Sequence, residues 1–223
     1  MSIKNIKPPV ITKFLNKNPL PSKKEEWIFA IVKYSLKQVL ENKEKEMSIK
    51  ISEEFIKQNY PVQTGLNNPI LRTKSKWIEE INEEILSFGK ILFKAMELYD
   101  GIWLAAPQIW VNKRIIAICQ LNKKEDKVIF SEVLINPEIV EKSEKMFIQE
   151  EGCLSLPGME WDVQRHFKVK VIYTGLDGKK HQINATWLNA AILQHEIDHL
   201  DWILFWDKVV DKKAPNFKKL LNL

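Results

Sequence analysis

His195-Glu196-Ile197-Asp198-His199 places two imidazoles four residues apart with a carboxylate beside the first. On a helix, residues four apart share a face, so both rings can reach one cation. Glu196, turned about 100° around the axis, can lean over the same ion toward a bound water, an arrangement suited to hydrolysis. The plainer reading of these residues is two half-exposed histidines and a surface glutamate. A hydrolytic site also needs a third protein ligand and one open position. No H-x-x-G-x-x-H continuation supplies it, because Asp201, Trp202 and Phe205 occupy the positions that follow. Cys153 is the candidate: in Glu150-Glu151-Gly152-Cys153-Leu154-Ser155-Leu156-Pro157-Gly158 the thiol lies between a glycine and a Pro-ended extended run, which can present a side chain and a backbone N–H together. Taken alone, such a cysteine is more often buried packing. A third segment, Gly101-Ile102-Trp103-Leu104-Ala105-Ala106-Pro107-Gln108, offers small residues that allow a substrate backbone to approach. Its Gln108 can donate an amide N–H to a developing oxyanion. On its own it reads as a turn entering a strand.

These segments must be held by elements the sequence also outlines. Leu188 to Asp201 reads as the helix that carries both histidines. From Ser75, the residues Ile78, Ile81, Ile85, Phe88, Leu92 and Met96 step by three and four, which predicts a core-facing helix ending before Asp100 and Gly101. Strands are expected at Arg114 to Gln120, Val128 to Asn136 and Lys168 to Thr174, with a fourth between the turn at Asp177-Gly178 and Thr186. Cys119 falls in an apolar strand run and reads as core. Strands outnumber crossover helices, so the expected class is α+β, antiparallel strands packed around a metal-bearing helix. Ahead of it, Ser22 and Glu25 form a capping box for a helix to about Lys43, and a short helix is expected near 52 to 59. Pro61, Gly65 and Pro69 mark the boundary, giving a helical extension over 1–66 and a catalytic domain over 67–223. Pro215 to Leu221 reads as a short amphipathic helix.

Composition bounds the remaining choices. The chain has 223 residues, 45% of them hydrophobic and 28% charged, which excludes wholesale disorder, a collagen-like repeat and a coiled-coil rod. No apolar run is long enough for a bilayer crossing, and the N-terminus carries neither a secretory nor a transit pattern, so the expected address is the cytoplasm. Two cysteines do not make a disulfide framework and are read as thiols. The net charge is +5, and of the 34 basic residues only Arg72, Arg114 and Arg165 are arginine. Readers of base edges lean on arginine forks, so no sequence-specific nucleic-acid binding is expected, and the basic Lys208 to Lys219 tail suggests at most loose ribosome association.

Taken together, Gly101 to Gln108, Glu151 to Pro157 and Gln194 to Leu200 resemble the three signature motifs of the peptide deformylases, in order and at suitable separations. The resemblance begins near Asn68-Pro69-Ile70-Leu71-Arg72 and covers roughly residues 67 to 223. It implies hydrolysis of the N-formyl group from the initiator methionine of new polypeptides. It also implies a divalent metal ion, usually Fe(II), with Zn, Ni or Co able to substitute. Cys153, His195 and His199 resemble the metal ligands, and Glu196 the general base that later protonates the departing amine. Gln108 and the backbone N–H of Leu154 resemble the oxyanion donors, each worth on the order of 3 kcal/mol in comparable sites. Substrate backbone would lie along the first motif as an added strand. Two other readings compete: an ordinary H-E-x-x-H protease, which would not need Cys153, and a catalytically impaired, deformylase-like binding module.

The second of these arises from four departures. Where the family motifs carry glycine, this chain has Trp103, Trp110, Trp187 and Trp202. Tryptophan does not adopt positive φ cheaply, and an indole at 103 would stand in the path of the substrate backbone. One cause explains all four more economically than four independent changes: UGA codons, which are tryptophan in some genetic codes and glycine in others. Glycine at these positions would bring the chain to 11 Gly and 4 Trp, nearer ordinary usage. Trp161 is a further candidate.

Overall fold

The computed structural model describes residues 51–122 and 127–210; the expected helices at 22–43 and 215–221 lie outside them. Among the described residues, 51–118 and 132–210 belong to one compact unit, which holds the site and its supports. Among the described residues, two helices precede the strands. The first, α1, is Glu53–Asn59, capped by the Ser52 hydroxyl accepting from Phe55 N–H. The second, α2, is Glu83–Leu98; Asn82 caps it by accepting from Ile85 N–H, and Glu83 and Glu84 occupy the positive end of its dipole.

The helix α2 is shorter than the periodicity predicts. Ile85, Phe88, Leu92 and Met96 form the buried stripe as expected, but residues 75 to 81 are not helical. Their backbone is committed elsewhere: Ser75 N–H donates to Leu200 O, Arg114 N–H to Lys76 O, and Ile78 N–H to the Asn136 side chain at 3.0 Å. Tertiary hydrogen bonds and the Asn82 cap override the local pattern there. Further along α2, a Cβ on Gly89 would lie 2.8 Å from Leu176 Cδ2 and 3.3 Å from Val133 Cγ1, so this position lets the helix approach the sheet closely.

Seven strands are described after them: β1 Trp103–Ala105, β2 Ile115–Asn122, β3 Lys127–Lys142, β4 Met146–Gly152, β5 Glu160–His166, β6 Lys168–Thr174 and β7 Lys180–Thr186. They make a five-stranded sheet of order β1-β2-β3-β6-β7 and a separate β4-β5 pair. The pairings β1 with β2, β3 with β6, β6 with β7 and β4 with β5 are all antiparallel, the α+β class expected from the sequence. The β4–β5 hairpin has no counterpart among the expected strands. Cys119 is buried on β2.

The third described α-helix, α3, is Leu188–Leu200. Every residue from Ala190 to Ile197 is buried, as are His199 and Leu200. A helix covered on all sides is a core element, and α3 packs against β1, β6 and β7 of the larger sheet and β5 of the hairpin. Leu71, Leu156, Val163, Leu204, Phe205, Trp206 and Val209 form an apolar cluster, with Cys153, Met159 and Trp161 packed against it.

Candidate metal centre

Helix α3 presents its histidines by simple periodicity, but both are taken out of water. His195, Glu196 and His199 are all buried, and the two imidazoles meet edge to face with centroids 5.0 Å apart. Phe205 stacks on His195 at 6.1 Å. The third donor arrives from the end of β4. Cys153 Sγ lies 3.3 Å from His199 Nε2, and one ligand atom each from Cys153, His195 and His199 fall within 4.8 Å of one another.

Gln108 comes to the same place from the 3-10 turn after β1. Its Oε1 accepts from Ala105 N–H at 2.8 Å, so its NH2 end faces the site and donates to Ser155 Oγ at 3.3 Å and Cys153 Sγ at 3.4 Å. The oxygen is tied down, which fixes which end of the amide donates. Leu154 lies beside this segment: a Cβ on Gly101 would be 3.4 Å from Leu154 Cδ1. All six candidate residues named from the sequence are thus assembled in one place.

Two further residues hold the arrangement, and the sequence reading gave them no role. Glu151 on β4 accepts from His195 Nδ1 at 2.9 Å, which leaves Nε2 as the ring's other nitrogen for a ligand. Arg165 on β5, fully buried, grips Glu151 bidentately at 2.8 and 2.9 Å and also donates to Asp198 of α3. Asp198 in turn pairs with Lys208 at 2.7 Å. A signal for Arg165 was available: in so lysine-rich a chain, each arginine marks a place where a planar fork matters. All three bind carboxylates, Arg72 with Asp207 and Arg114 with Asp201 being the others. Gln194 stitches α3 to the end of β5, accepting from His166 N–H at 3.0 Å and donating to His166 O at 2.9 Å.

The electrostatics follow from burial and these neighbours. Burial alone would raise the Glu151 carboxyl, but hydrogen bonds from Arg165 and His195 and their charges hold it down to about 2. Burial would likewise raise the Cys153 thiol, yet His199 and His195 bring it well below its ordinary value, a shift toward the thiolate. Glu196 is pushed up to about 7, chiefly by burial, with the histidines opposing. A carboxyl there exchanges a proton near neutral pH.

The donor set fits a divalent cation on one further observation. His195 Nε2 and both Glu196 carboxylate oxygens are buried without a hydrogen-bond partner. Buried polar atoms without a hydrogen bond are costly, and two of these, His195 Nε2 and Glu196 Oε1, stand 3.9 Å apart. One thiolate and two imidazoles suit a borderline ion and leave a coordination position for water.

With this geometry in place, comparisons with known proteins agree on one family. The polypeptide deformylase family profile matches residues 63–215. A peptide deformylase of Picosynechococcus is 40% identical over 170 residues, 75% of this chain and 90% of that protein. One from Thermodesulfovibrio yellowstonii is 43% identical over 152 residues, 67% of this chain and 89% of that protein. Among solved structures, a Synechococcus elongatus peptide deformylase in complex with actinonin superposes with a TM-score of 0.65 at 33% identity, covering 73% of this chain and 86% of that one. A probable peptide deformylase from the Synechococcus phage S-SSM7 gives 0.61 at 36% identity, covering 67% and 99%. The chain belongs to the peptide deformylase family, metal-dependent hydrolases that remove the formyl group from nascent polypeptides.

Proposed function

We propose that Cys153, His195 and His199 hold the metal, with Fe(II) its native identity and Zn, Ni or Co able to take its place. The observation that carries this is the convergence of three donors from segments more than 40 residues apart, with the buried Glu196 carboxylate 3.9 Å from His195 Nε2 and free of hydrogen bonds. The ion would supply Lewis acidity, making water a nucleophile near neutral pH. Glu196 accepts the proton of the attacking water and passes it to the amine as the formyl C–N bond breaks. Its buried, partnerless oxygens and its proton exchange near neutral pH suit both halves of that transfer. Gln108 Nε2 and Leu154 N–H donate to the oxygen of the formyl group as it gains charge. In the five-stranded sheet β1 is an edge, so an extended peptide can add to it through main-chain hydrogen bonds.

The same proposal takes the substrates to be N-formylmethionyl nascent chains met in the cytoplasm, with loose ribosome association through the basic tail. No helix among the described residues is long and apolar enough to cross a membrane. The division near residue 66 belongs to it too, supported by a family match that begins at residue 63. Nothing favours the impaired binding module.

Formate release from a formyl-methionyl peptide tests the reading. Glu196→Ala should lose about three orders of magnitude in kcat with metal content retained. Cys153→Ala should lose the metal itself. Metal content unchanged in Cys153→Ala would favour an ordinary H-E-x-x-H site and overturn the ligand assignment.

A further inference from the structure

Among the described residues, five other than glycine hold positive φ: Asp100 at 60°, Trp110 at 72°, Asn136 at 51°, Trp187 at 53° and Trp202 at 55°. Asp and Asn visit this region because short polar side chains bond locally; a bulky aromatic has no such relief. Three of the five are nevertheless tryptophan, and each stands at a joint of the site.

Trp187 is the residue from which α3 starts. Its φ of 53° with ψ of −126° is the first-position geometry of a type II′ turn, which glycine dominates. The conformation is enforced from both sides: Trp187 N–H donates to Phe167 O at 2.7 Å, and its carbonyl accepts from Ala191 N–H at 2.9 Å. Trp202 lies just past the other end of α3. There Ile203 N–H donates to Asp198 O at 2.9 Å and Trp202 N–H to His199 O at 3.4 Å, the two bonds of a Schellman motif whose left-handed position is ordinarily glycine. Trp110 closes the turn that carries Gln108, with φ 72° and ψ 12° and its N–H donating to Pro107 O.

The side chains at these joints look outward, with Trp110 61%, Trp187 36% and Trp202 45% exposed. Lys74 Nζ lies over the Trp202 ring, 5.3 Å from its centre. Other tryptophans differ. Trp161 and Trp206 pack edge to face at 5.8 Å in the apolar cluster, and Arg114 covers Trp77. None of these has positive φ, so Trp161 leaves the set. Trp103, paired with Ile118 in β1, is extended, and its backbone does not require glycine.

We infer that positions 110, 187 and 202 are glycine in the protein as its own cell makes it, encoded by UGA read as glycine, and that they are positioning residues setting both ends of α3 and the Gln108 turn. This stands whatever reaction the site performs. The first test is the gene and the native protein: UGA at all three codons, with peptide masses from the source cells showing glycine. UGG at 187 or 202, or tryptophan masses there, overturns it. The second test separates backbone strain from the indoles. The triple variant W110G/W187G/W202G should melt at least about 5 °C higher than the tryptophan chain, whereas W110A/W187A/W202A, which keeps a Cβ at every strained position, should recover only a minor part. A glycine variant that melts no higher, or an alanine variant that gains as much, overturns the assignment. Trp161→Gly and Trp206→Gly, by contrast, should each lower the melting temperature.

Discussion

Helix α3 and the β4–β5 hairpin both deliver groups of the proposed metal site, and they do so by opposite means. In α3, His195, Glu196 and His199 lie within five residues, and helical geometry alone aligns them. In the hairpin, Cys153 follows a seven-pair antiparallel ladder running from Met146↔His166 to Gly152↔Glu160. Its position depends on register, and a slip of one residue would turn Glu151 away from His195. What fixes the hairpin against the helix is charge: Arg165 on β5 holds Glu151 on β4, which holds His195, while Arg165 also reaches Asp198 one turn further along α3. A ligand pair on one helix can be read from spacing. A ligand that joins it from elsewhere needs a buried network to place it.

The sharpest way to break that contrast is to remove the link. Arg165→Met leaves Glu151 a buried carboxylate without its main counter-charge and takes one of two cations from the half-buried Asp198, which keeps Lys208, and the expected loss is about 3 to 5 kcal/mol in urea unfolding. Pairing it with Glu151→Gln removes the stranded charge as well, so the double variant should be more stable than Arg165→Met alone. A double variant less stable than the single one would mean the fork acts mainly as packing. Arg165→Lys keeps the charge but loses the planar bidentate grip and should recover only part of the loss.

A smaller effect is expected from Glu151→Gln on its own. The amide still occupies the space beside His195 but holds the ring less firmly, and metal affinity measured by competition with a chelator should fall by about 10- to 100-fold. Folding should suffer less than in Arg165→Met, because no lone buried carboxylate is created at that position. If affinity is unchanged, the position of His195 is set by α3 and Phe205 without the hairpin, and the two regions are less coupled than their hydrogen bonds imply.

What the sequence revealed follows the same division. The helix bearing the histidines, the strand Lys168 to Thr174 and the glutamine in Ala-Ala-Pro-Gln were legible because period and motif are local properties. The β4–β5 hairpin was not. Its strand Met146–Gly152 alternates little, with only Glu151 buried among exposed and half-buried neighbours, so it carries no period-two apolar signal. Nor did the sequence reveal that residues 75 to 81 leave the helical pattern, since the hydrogen bonds holding them come from Asn112, Arg114, Asn136 and Leu200. The backbone angles at 187 and 202 were legible only through the family resemblance, because no propensity expects tryptophan there.

The smallest effect is predicted one residue from a large one, and it calibrates the rest. Lys113 and Arg114 are neighbours in sequence, and both pair with carboxylates. Lys113 Nζ lies 2.5 Å from Glu84, a carboxylate 74% exposed, so water competes for both partners and salt screens them. Arg114 is buried, meets Asp201 at 2.7 Å, and donates to Pro137 O at 3.1 Å. Asp201 ends α3, so this second arginine anchors that helix to the β3 side as Arg165 anchors it to the hairpin. Lys113→Ala should therefore move the melting temperature by less than about 2 °C and leave formate release unchanged. Arg114→Ala should cost several times as much. Equal losses at 113 and 114 would show that charge count, rather than burial and fork geometry, sets the strength of these pairs, and would weaken the case that Arg165 couples hairpin to helix.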